Sequence, residues 1–334
     1  MDNNQETAKV SAAEARDAIR KASFRDSLKS RDTEEHIDLA FYRPIGYMWA
    51  CLAARLGVTP NAITIASIFL GIGAGVAFYF NNIWINVVGM ILLVWANSFD
   101  SADGQLARMT HQYSRLGRIL DGMAGDFWFV AIYAAICMRE VVTSDFFREH
   151  HWVFWVLAAV TGVCHAKQAA MADYYRQFHL YFLKGEDGSE LESADDLRHK
   201  LDALSWKKNF FRKLAMTSYT KYTVNQEQMT PSMQRLRRAL RSRYPSASAI
   251  PASFRREFRR LSLPLMKYTN ILSFNWRTIT LFTAIFLQMP WLYFAAELIL
   301  GNAILIYMVI RHERICKTLA LRLEQGTQQS EPQK

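Results

Sequence analysis

Residues 56–99 read LGVTPNAITIASIFLGIGAGVAFYFNNIWINVVGMILLVWANSF and contain no Asp, Glu, Lys or Arg in 44 consecutive positions. A membrane-spanning helix needs about 20 apolar residues. The stretch is therefore long enough for two spans, and the polar pair Asn81-Asn82 in its middle predicts a turn between them. These two adjacent spans indicate a helical membrane protein.

Four further segments of near-spanning length lie downstream of this pair. The expected spans cover residues 61–80, 83–101, 118–138, 152–172, 271–288 and 291–310. A soluble protein can bury one such segment as a core helix, but six of them favour a membrane protein. The sequence therefore predicts an all-α, polytopic membrane protein with six transmembrane helices.

An amphipathic segment, Ile37–Leu56, precedes the first span. It contains Arg43, Pro44 and Arg55, and a span at this position would invert every later loop. We therefore expect an N-terminal interfacial helix that lies on the inner leaflet.

The positive-inside rule orients the chain. Residues 1–36 carry seven basic side chains, whereas the expected hairpins near 81–82 and 289–290 carry no charge. Both termini and the basic loops are therefore expected in the cytoplasm, with the chain in the inner (cytoplasmic) membrane. The predicted organisation is an N-terminal cytoplasmic arm, the interfacial helix with four spans, a basic cytoplasmic insert, two last spans and a cytoplasmic tail, at 1–36, 37–172, 173–268, 269–311 and 312–334.

The net charge of +10 has its source in the insert 173–268, which holds nineteen basic and ten acidic side chains. No readout motif for nucleic acid accompanies these cations, so an anionic inner leaflet is the simpler partner. Within the insert, Ser193–Met216 starts with a capping Ser and repeats apolar residues at helical spacing. This pattern predicts one amphipathic helix.

The candidate catalytic residues lie in residues 99–127, FDSADGQLARMTHQYSRLGRILDGMAGDF. Here the second span ends and the third span begins on the cytoplasmic side. Asp100 and Asp103 share one helix face because they are three residues apart. Asp121 and Asp126 lie inside the next span, where carboxylates are costly and usually face a cavity and a partner. A divalent cation between the four carboxylates would relieve their repulsion, and oxygen ligands favour Mg²⁺, Mn²⁺ or Ca²⁺ over zinc.

Small residues and one arginine surround these carboxylates. Gly104, Ala107 and Gly117 allow a ligand to approach the backbone, and Arg108 offers a planar fork for a phosphate. The combination suggests transfer of a phosphorylated group from a nucleotide donor. An acidic loop that merely solvates two helix ends is the alternative, but it leaves the carboxylates within the span unexplained.

The motif resembles the signature of the CDP-alcohol phosphotransferase (CDP-alcohol phosphatidyltransferase) family, D-x2-D-G-x2-A-R-x8-G-x3-D-x3-D. The matching residues are Asp100, Asp103, Gly104, Ala107, Arg108, Gly117 and Asp121. The sequence Thr59-Pro60-Asn61-Ala62-Ile63-Thr64 also resembles the motif that opens the first span of the family. The resemblance covers residues 37–172 well and the last two spans by topology.

One position departs from that signature, because its fourth Asp falls on Gly125 and the nearest acid is Asp126. At about 100° per helical residue, position i+5 lies about 140° from Asp121 and i+4 only about 40°. We expect a π-bulge in the deformable GMAG stretch to turn Asp126 back into the site. In the alternative, the chain lacks the usual base and is slow or inactive.

The resemblance implies a mechanism and its ligands. Asp100, Asp103, Asp121 and Asp126 would hold Mg²⁺ or Mn²⁺ against the CDP diphosphate, and Asp126 would also deprotonate the acceptor hydroxyl. The CDP moiety would contact the residues that match the two motifs, which are Thr59, Asn61, Gly104, Ala107, Arg108 and Gly117. Family members are usually homodimers, and their CDP-linked lipid donor enters from the bilayer.

Polar residues within other spans are candidates for binding the acceptor. Lys167 and Arg277 are candidate acceptor-binding cations, although Lys167 could equally extend to the interface. A packing role is favoured for His165, and Glu297 is expected near the opposite face, out of reach of the site.

Three functions remain open at this point. The favoured one moves a phosphatidyl group from a CDP-lipid to a small alcohol, with inositol or inositol phosphate as the first guess, and releases CMP. Its sibling moves phosphoethanolamine or phosphocholine from a CDP-alcohol to a lipid acceptor. The rival is a catalytically inactive membrane scaffold, which the displaced Asp126 supports.

Overall fold

The structure is a computed structural model and describes residues 32–112, 115–185, 193–205 and 210–328. The described residues fold into helices and contain no strand, which confirms the all-α prediction. Most of the predicted N-terminal arm, residues 1–31, lies outside them. The chain divides into two compact units. Of the described residues, one unit contains those up to 163 and 278–296, and the other contains those of 164–277 and those from 297 onward.

The helices alternate with short connections along the chain. A π-helical turn, Asp38–Tyr42, leads directly into the first α-helix. Helices α1 to α7 are Arg43–Leu56, Pro60–Tyr79, Ile83–Thr110, Arg115–Thr143, Asp145–Glu149, His151–Lys184 and Ala194–Asp202. Helices α8 to α14 are Phe210–Gln228, Pro231–Arg243, Ala252–Ser262, Met266–Ile271, Phe274–Phe286, Trp291–Ala296 and Asn302–Gln328.

Among the described residues, five stretches of helix are long and apolar enough to cross a membrane. They are Pro60–Tyr79, Ile83–Thr110, Leu120–Thr143, His151–Leu183 and Trp291–Gln325. The predicted count of six is not confirmed, because the fifth expected span, 271–288, is interrupted between α11 and α12. Helix α12 has 13 residues, about 20 Å at 1.5 Å per residue, whereas a hydrocarbon core is about 30 Å thick.

The segment expected to lie on the membrane surface is helical, with two different faces. Small residues of α1, among them Gly46, Ala50 and Ala53, are buried. Met48 and Leu56 are 66% and 69% exposed. An exposed row of large apolar side chains is typical of an interfacial helix.

In the first unit, α2 packs closely against α3 and α4. A Cβ atom at Gly71 would lie 2.0 Å from Cδ1 of Trp128, and one at Gly75 would lie 2.8 Å from Cβ of Ala131. Small residues at membrane helix interfaces permit such approach and the van der Waals contact that it brings. The glycines of α2 therefore fix its separation from α4.

The buried Arg139 side chain, near the end of α4, connects residues around the α2–α3 turn through hydrogen bonds. Arg139 donates hydrogen bonds to Asn86 Oδ1 at 2.8 Å, to Asn81 Oδ1 at 2.9 Å and to Gln288 Oε1 at 2.9 Å. Buried cations in membrane proteins need such polar partners. Arg139 thus connects the α2–α3 turn, which Asn81-Asn82 predicted, to the turn after α12.

The second unit is a helical assembly with a core of its own. Its largest buried side chains come from the second half of α6 and from α9, α10 and α14, and include Tyr175, Phe178, Leu236, Phe258 and Leu319. At the start of α9, the carboxylate of Glu313 accepts hydrogen bonds from the backbone N–H groups of Ser232 (2.6 Å) and Met233 (3.1 Å). This carboxylate satisfies donors that a helix start leaves without intrahelical partners.

The single amphipathic helix predicted over 193–216 is wrong. Ser193 does cap a helix and accepts a hydrogen bond from Asp196 N, but α7 ends at Asp202 and α8 begins at Phe210. Residues 206–209 lie outside the described ranges. The apolar spacing of Leu197 and Leu201 is helical, but Ala203 to Ser205 leave the helix, which hydrophobic periodicity alone does not reveal.

The arginines of the insert 173–268 divide into two groups. Arg237 is buried and lies 3.4 Å from Glu227, and Arg235 pairs with Glu324 through two bonds of 2.8 and 2.5 Å. Arg256 and Arg260 on α10 are exposed. Part of the positive charge that was expected to face anionic lipid is therefore neutralised within the unit.

Candidate active site

The acidic motif lies on a helix, because α3 runs to Thr110, nine residues past the predicted span end. It stops where His111 adopts a left-handed conformation, with φ of 55°, and its N–H bonds to the Ala107 carbonyl. Asp100 and Asp103 therefore share one helix face, as their spacing predicts.

Three carboxylates meet between α3 and α4. Ligand oxygens of Asp100, Asp103 and Asp121 all lie within 4.8 Å of one another. Asp103 is 3% exposed, Asp100 is half-buried and Asp121 is exposed. The cluster thus reaches from the protein interior to an accessible surface.

The donor set fits a hard divalent cation. Oxygen ligands on opposite sides of Mg²⁺ are about 4 Å apart and those around Ca²⁺ about 5 Å apart, so these carboxylates have the spacing of one coordination sphere. The buried Oδ1 of Asp103 has no hydrogen-bond partner among the described residues. An acceptor in that position costs free energy unless a cation or a donor satisfies it.

Thr64, the last residue of the motif at 59–64, was assigned no role from the sequence but contacts the cluster. Its hydroxyl lies within hydrogen-bond distance of Oδ2 of Asp103 and of the Pro60 carbonyl, and it is buried on the first turn of α2. The signal in the sequence was a polar residue one turn into an apolar helix. Its partner is 39 residues away, so spacing could not identify the contact.

Two of the residues that were expected to contact the CDP moiety, Thr59 and Asn61, lie at the start of α2. Thr59 is the N-cap of α2 and accepts a hydrogen bond from Ala62 N at 3.4 Å. Asn61 is half-buried on the following turn. A threonine N-cap stabilises a helix start by about 1 kcal/mol, so this contact is structural.

The small residues and the arginine of the motif lie on the same stretch of α3 as the acids. A Cβ atom at Gly104 would lie 3.2 Å from Nη1 of Arg108. Gly104 therefore leaves room for the Arg108 guanidinium beside the helix. Ala107 is half-buried, and Gly117 is half-buried near the start of α4.

Asp126 does not join the other three acids, and the predicted π-bulge is wrong. Helix α4 is α-helical throughout Arg115–Thr143, and Asp126 is exposed. A regular helix directs Asp126 about 140° away from Asp121. Nothing lies within 4 Å of a Cβ built at Gly122 or Gly125, so no neighbour forces the extra residue into the turn.

The two candidate acceptor-binding cations lie in the second unit. Lys167 is exposed on α6, whereas Arg277 on α12 is 5% exposed. Nε of Arg277 donates to the Leu272 carbonyl at 3.0 Å, and Nη2 donates to Gln168 Oε1 at 3.1 Å. The break before α12 supplies the first of these acceptors.

Glu297 was expected near the opposite face, and this prediction is wrong. Its Oε1 lies 3.8 Å from Arg277 Nε and 3.9 Å from His165 Nδ1, so the three side chains share one depth. Glu297 also begins a π-helical turn that ends at Gly301. The expectation assumed a full span over 271–288, whereas α12 has 13 residues.

The first unit thus combines long apolar helices with three aspartates whose oxygens lie close enough to share a divalent cation. Residues 57–178 match the family model for CDP-alcohol phosphatidyltransferases, which confirms the family resemblance over that segment. An archaetidylinositol phosphate synthase from Pyrococcus horikoshii is 37% identical over 92 residues, or 28% of this chain. The match spans 47%, about half, of that relative's length.

Proposed function

We propose that this protein transfers a phosphatidyl group from a CDP-linked lipid to a small alcohol and releases CMP in phospholipid synthesis. The observation that carries the proposal is the meeting of Asp100, Asp103 and Asp121 within the signature. The family match and the name of the relative support this reaction class. That name also favours inositol or inositol phosphate as the acceptor.

Each residue has a proposed role. Asp100, Asp103 and Asp121 hold Mg²⁺ or Mn²⁺, which supplies charge neutralisation at the diphosphate. Arg108 binds a phosphate oxygen of the donor, and Gly104 and Gly117 allow the donor to approach the helix backbones. Thr59, Asn61 and Ala107 border the same ligand.

The acceptor hydroxyl must lose its proton as its oxygen attacks phosphorus and the bond to CMP breaks. Asp126 is the proposed base, because it is the acid nearest in sequence to the family's fourth Asp. In the described helix Asp126 lies outside the carboxylate cluster, so this role rests on the family signature alone. A chain in which Asp126 takes no part in the reaction would be a slow transferase or an inactive scaffold. The exposed position of Asp126 on a regular helix favours the inactive scaffold.

Lys167 and Arg277 are the proposed acceptor-binding cations. The Nη1 atom of Arg277 is buried without a hydrogen-bond partner among the described residues, so it can still bind a hydroxyl or phosphate oxygen. Arg277→Met and Lys167→Met are expected to raise KM for the acceptor more than KM for the donor.

The protein is proposed to lie in the inner membrane, with both termini and the active site in the cytoplasm and the basic insert 173–268 toward an anionic leaflet. The distribution of basic residues supports this orientation. We also propose a homodimer and no nucleic-acid partner. The domain boundaries at 36, 172, 268 and 311 are part of the same proposal.

The test uses detergent-purified protein with Mn²⁺ or Mg²⁺ and radiolabelled CDP-diacylglycerol. Inositol, inositol 1-phosphate, glycerol 3-phosphate and serine are offered separately, and CDP-ethanolamine and CDP-choline are offered with diacylglycerol. CMP release with one polar alcohol supports the proposal and identifies the acceptor. CMP release only from a CDP-alcohol indicates the sibling reaction, and no release from any donor favours the scaffold.

A further inference from the structure

The motif helix α3 has two opposite faces around residues 100–109. At 100° per residue, Asp100, Asp103, Gly104 and Arg108 fall within an arc of about 140°. Ala102, Leu106 and Met109 point the other way and pack with Ala50 and Ala53 of α1. Helix α1 therefore packs against the side of α3 that is opposite to Asp100 and Asp103.

A polar stripe runs along the boundary of that packed face. Asn97, Ser101 and Gln105 recur at intervals of four residues and therefore form one row. Arg43 Nη1 donates to Ser101 Oγ at 3.2 Å, and Gln105 Nε2 donates to the Arg43 carbonyl at 3.0 Å. Tyr42 forms a hydrogen bond with Asn97.

Arg43 is itself fixed from its other side. Its Nε atom lies 2.6 Å from Oε2 of Glu34, and the two side chains are 17% and 4% exposed. A charged pair with so little exposure has a defined geometry, and loss of one partner leaves a buried charge. The guanidinium therefore cannot move away from Ser101 without breaking its bond to Glu34.

The helix backbones approach closely at the same point. A Cβ atom at Gly46 would lie 2.8 Å from Ser101 Oγ. Gly46 follows Arg43 by three residues and lies on the same face of α1. Ser101 is therefore confined between the Arg43 side chain and the Gly46 backbone.

We propose that Arg43 is a positioning residue, which sets the rotation of α3 through Ser101 and so aims Asp100 and Asp103 at the divalent cation. The inference rests on the proposed function for its metal and its reaction. Carboxylates lie about 6 Å from a helix axis, so a rotation of 10° displaces them by about 1 Å. That displacement exceeds the roughly 0.5 Å that a functional site tolerates.

The main test measures Mn²⁺ binding to the full chain by electron paramagnetic resonance, with transfer kinetics beside it. Arg43→Met and Ser101→Ala are each expected to raise the Mn²⁺ dissociation constant about tenfold and to lower kcat more than they raise KM for the donor. The double variant should be no worse than either single variant, because both remove the same contact. Arg43→Lys should recover part of the affinity by keeping the pair with Glu34.

Arg55→Met is the matched control, since Arg55 is exposed on the last turn of the same helix. Wild-type Mn²⁺ affinity in both Arg43→Met and Ser101→Ala would overturn the inference. If Arg43→Met does not fold, Ser101→Ala decides alone, because it removes only a hydroxyl. If the wild type binds Mn²⁺ but transfers nothing, the proposed reaction fails, while the Mn²⁺ measurements still test the positioning role.

Discussion

Thr64 lies within hydrogen-bond distance of the Asp103 carboxylate from the first turn of the neighbouring helix, and both side chains are buried. Oδ2 of Asp103 is the atom in this contact, whereas the buried Oδ1 has no hydrogen-bond partner among the described residues. Thr64 therefore holds one oxygen of a carboxylate that belongs to the acidic cluster.

Replacement of Thr64 by valine keeps its shape and removes the hydroxyl. We expect the Mn²⁺ dissociation constant to rise about tenfold, because outer-shell partners of metal ligands contribute on this scale. Thr161→Val is the control, since Thr161 is equally buried but donates to the Leu157 carbonyl. Equal affinity in the two variants would show that Thr64 only packs.

Asp126→Asn separates metal binding from base catalysis. Because Asp126 lies outside the carboxylate cluster, the variant should bind Mn²⁺ within twofold of the wild type. Because Asp126 is the proposed base, kcat should fall by a factor of about 10² to 10⁴. Loss of Mn²⁺ affinity would instead mean that Asp126 is a ligand, and unchanged kcat would assign the base elsewhere.

Gly71→Ala is expected to destabilise the first unit. Its new methyl group would lie 2.0 Å from the Trp128 ring, and overpacking of this kind costs about 3 kcal/mol. Thermal unfolding in detergent, followed by circular dichroism, should show a lower apparent Tm. Gly73→Ala offers a control on the same helix, because its nearest contact is 3.7 Å away, and an equal loss there would contradict the packing explanation.

Arg277 and Glu297 should be coupled in stability. Arg277→Met leaves Glu297 as a buried charge without its ion-pair partner, at a cost of about 3–5 kcal/mol. The double variant Arg277→Met/Glu297→Met should lose less than the sum of the two single variants. Additive losses in apparent unfolding free energy would show that the two side chains do not interact.

Glu313 should stabilise α9 through its carboxylate. Glu313→Gln removes the negative charge at a helix N-terminus and weakens two hydrogen bonds, so we expect a loss of about 1–2 kcal/mol. Glu324→Gln is the control, since Glu324 forms an exposed pair with Arg235 that contributes little. A larger loss in the control than in Glu313→Gln would contradict the capping role.

Much of the fold and the centre of the candidate site could be predicted from the sequence. The 44-residue stretch without charged side chains predicted the first two spans. The three-residue spacing of Asp100 and Asp103 predicted that both lie on one face of a helix. Both patterns involve residues that are close in sequence, and helix geometry determines where such residues lie relative to one another.

The remaining features depend on contacts between distant parts of the chain. The Thr64–Asp103 and Arg43–Ser101 contacts join residues 39 and 58 positions apart, and periodicity carries no information at that range. The expected fifth span was not confirmed, because hydropathy does not reveal the break in the helix at Leu272-Ser273. The contact between Arg277 and Glu297 likewise joins two different helical segments, which periodicity within one segment cannot predict.

Release of CMP at the three-aspartate cluster should depend on a divalent cation. The most direct measurement is CMP release from radiolabelled CDP-diacylglycerol by the purified chain and its Asp103→Asn variant, with Mn²⁺ and with EDTA. We predict acceptor-dependent release by the wild type with Mn²⁺, and loss of release with EDTA or in Asp103→Asn. Undiminished release by Asp103→Asn, or none by the wild type from any CDP donor, would contradict the claim.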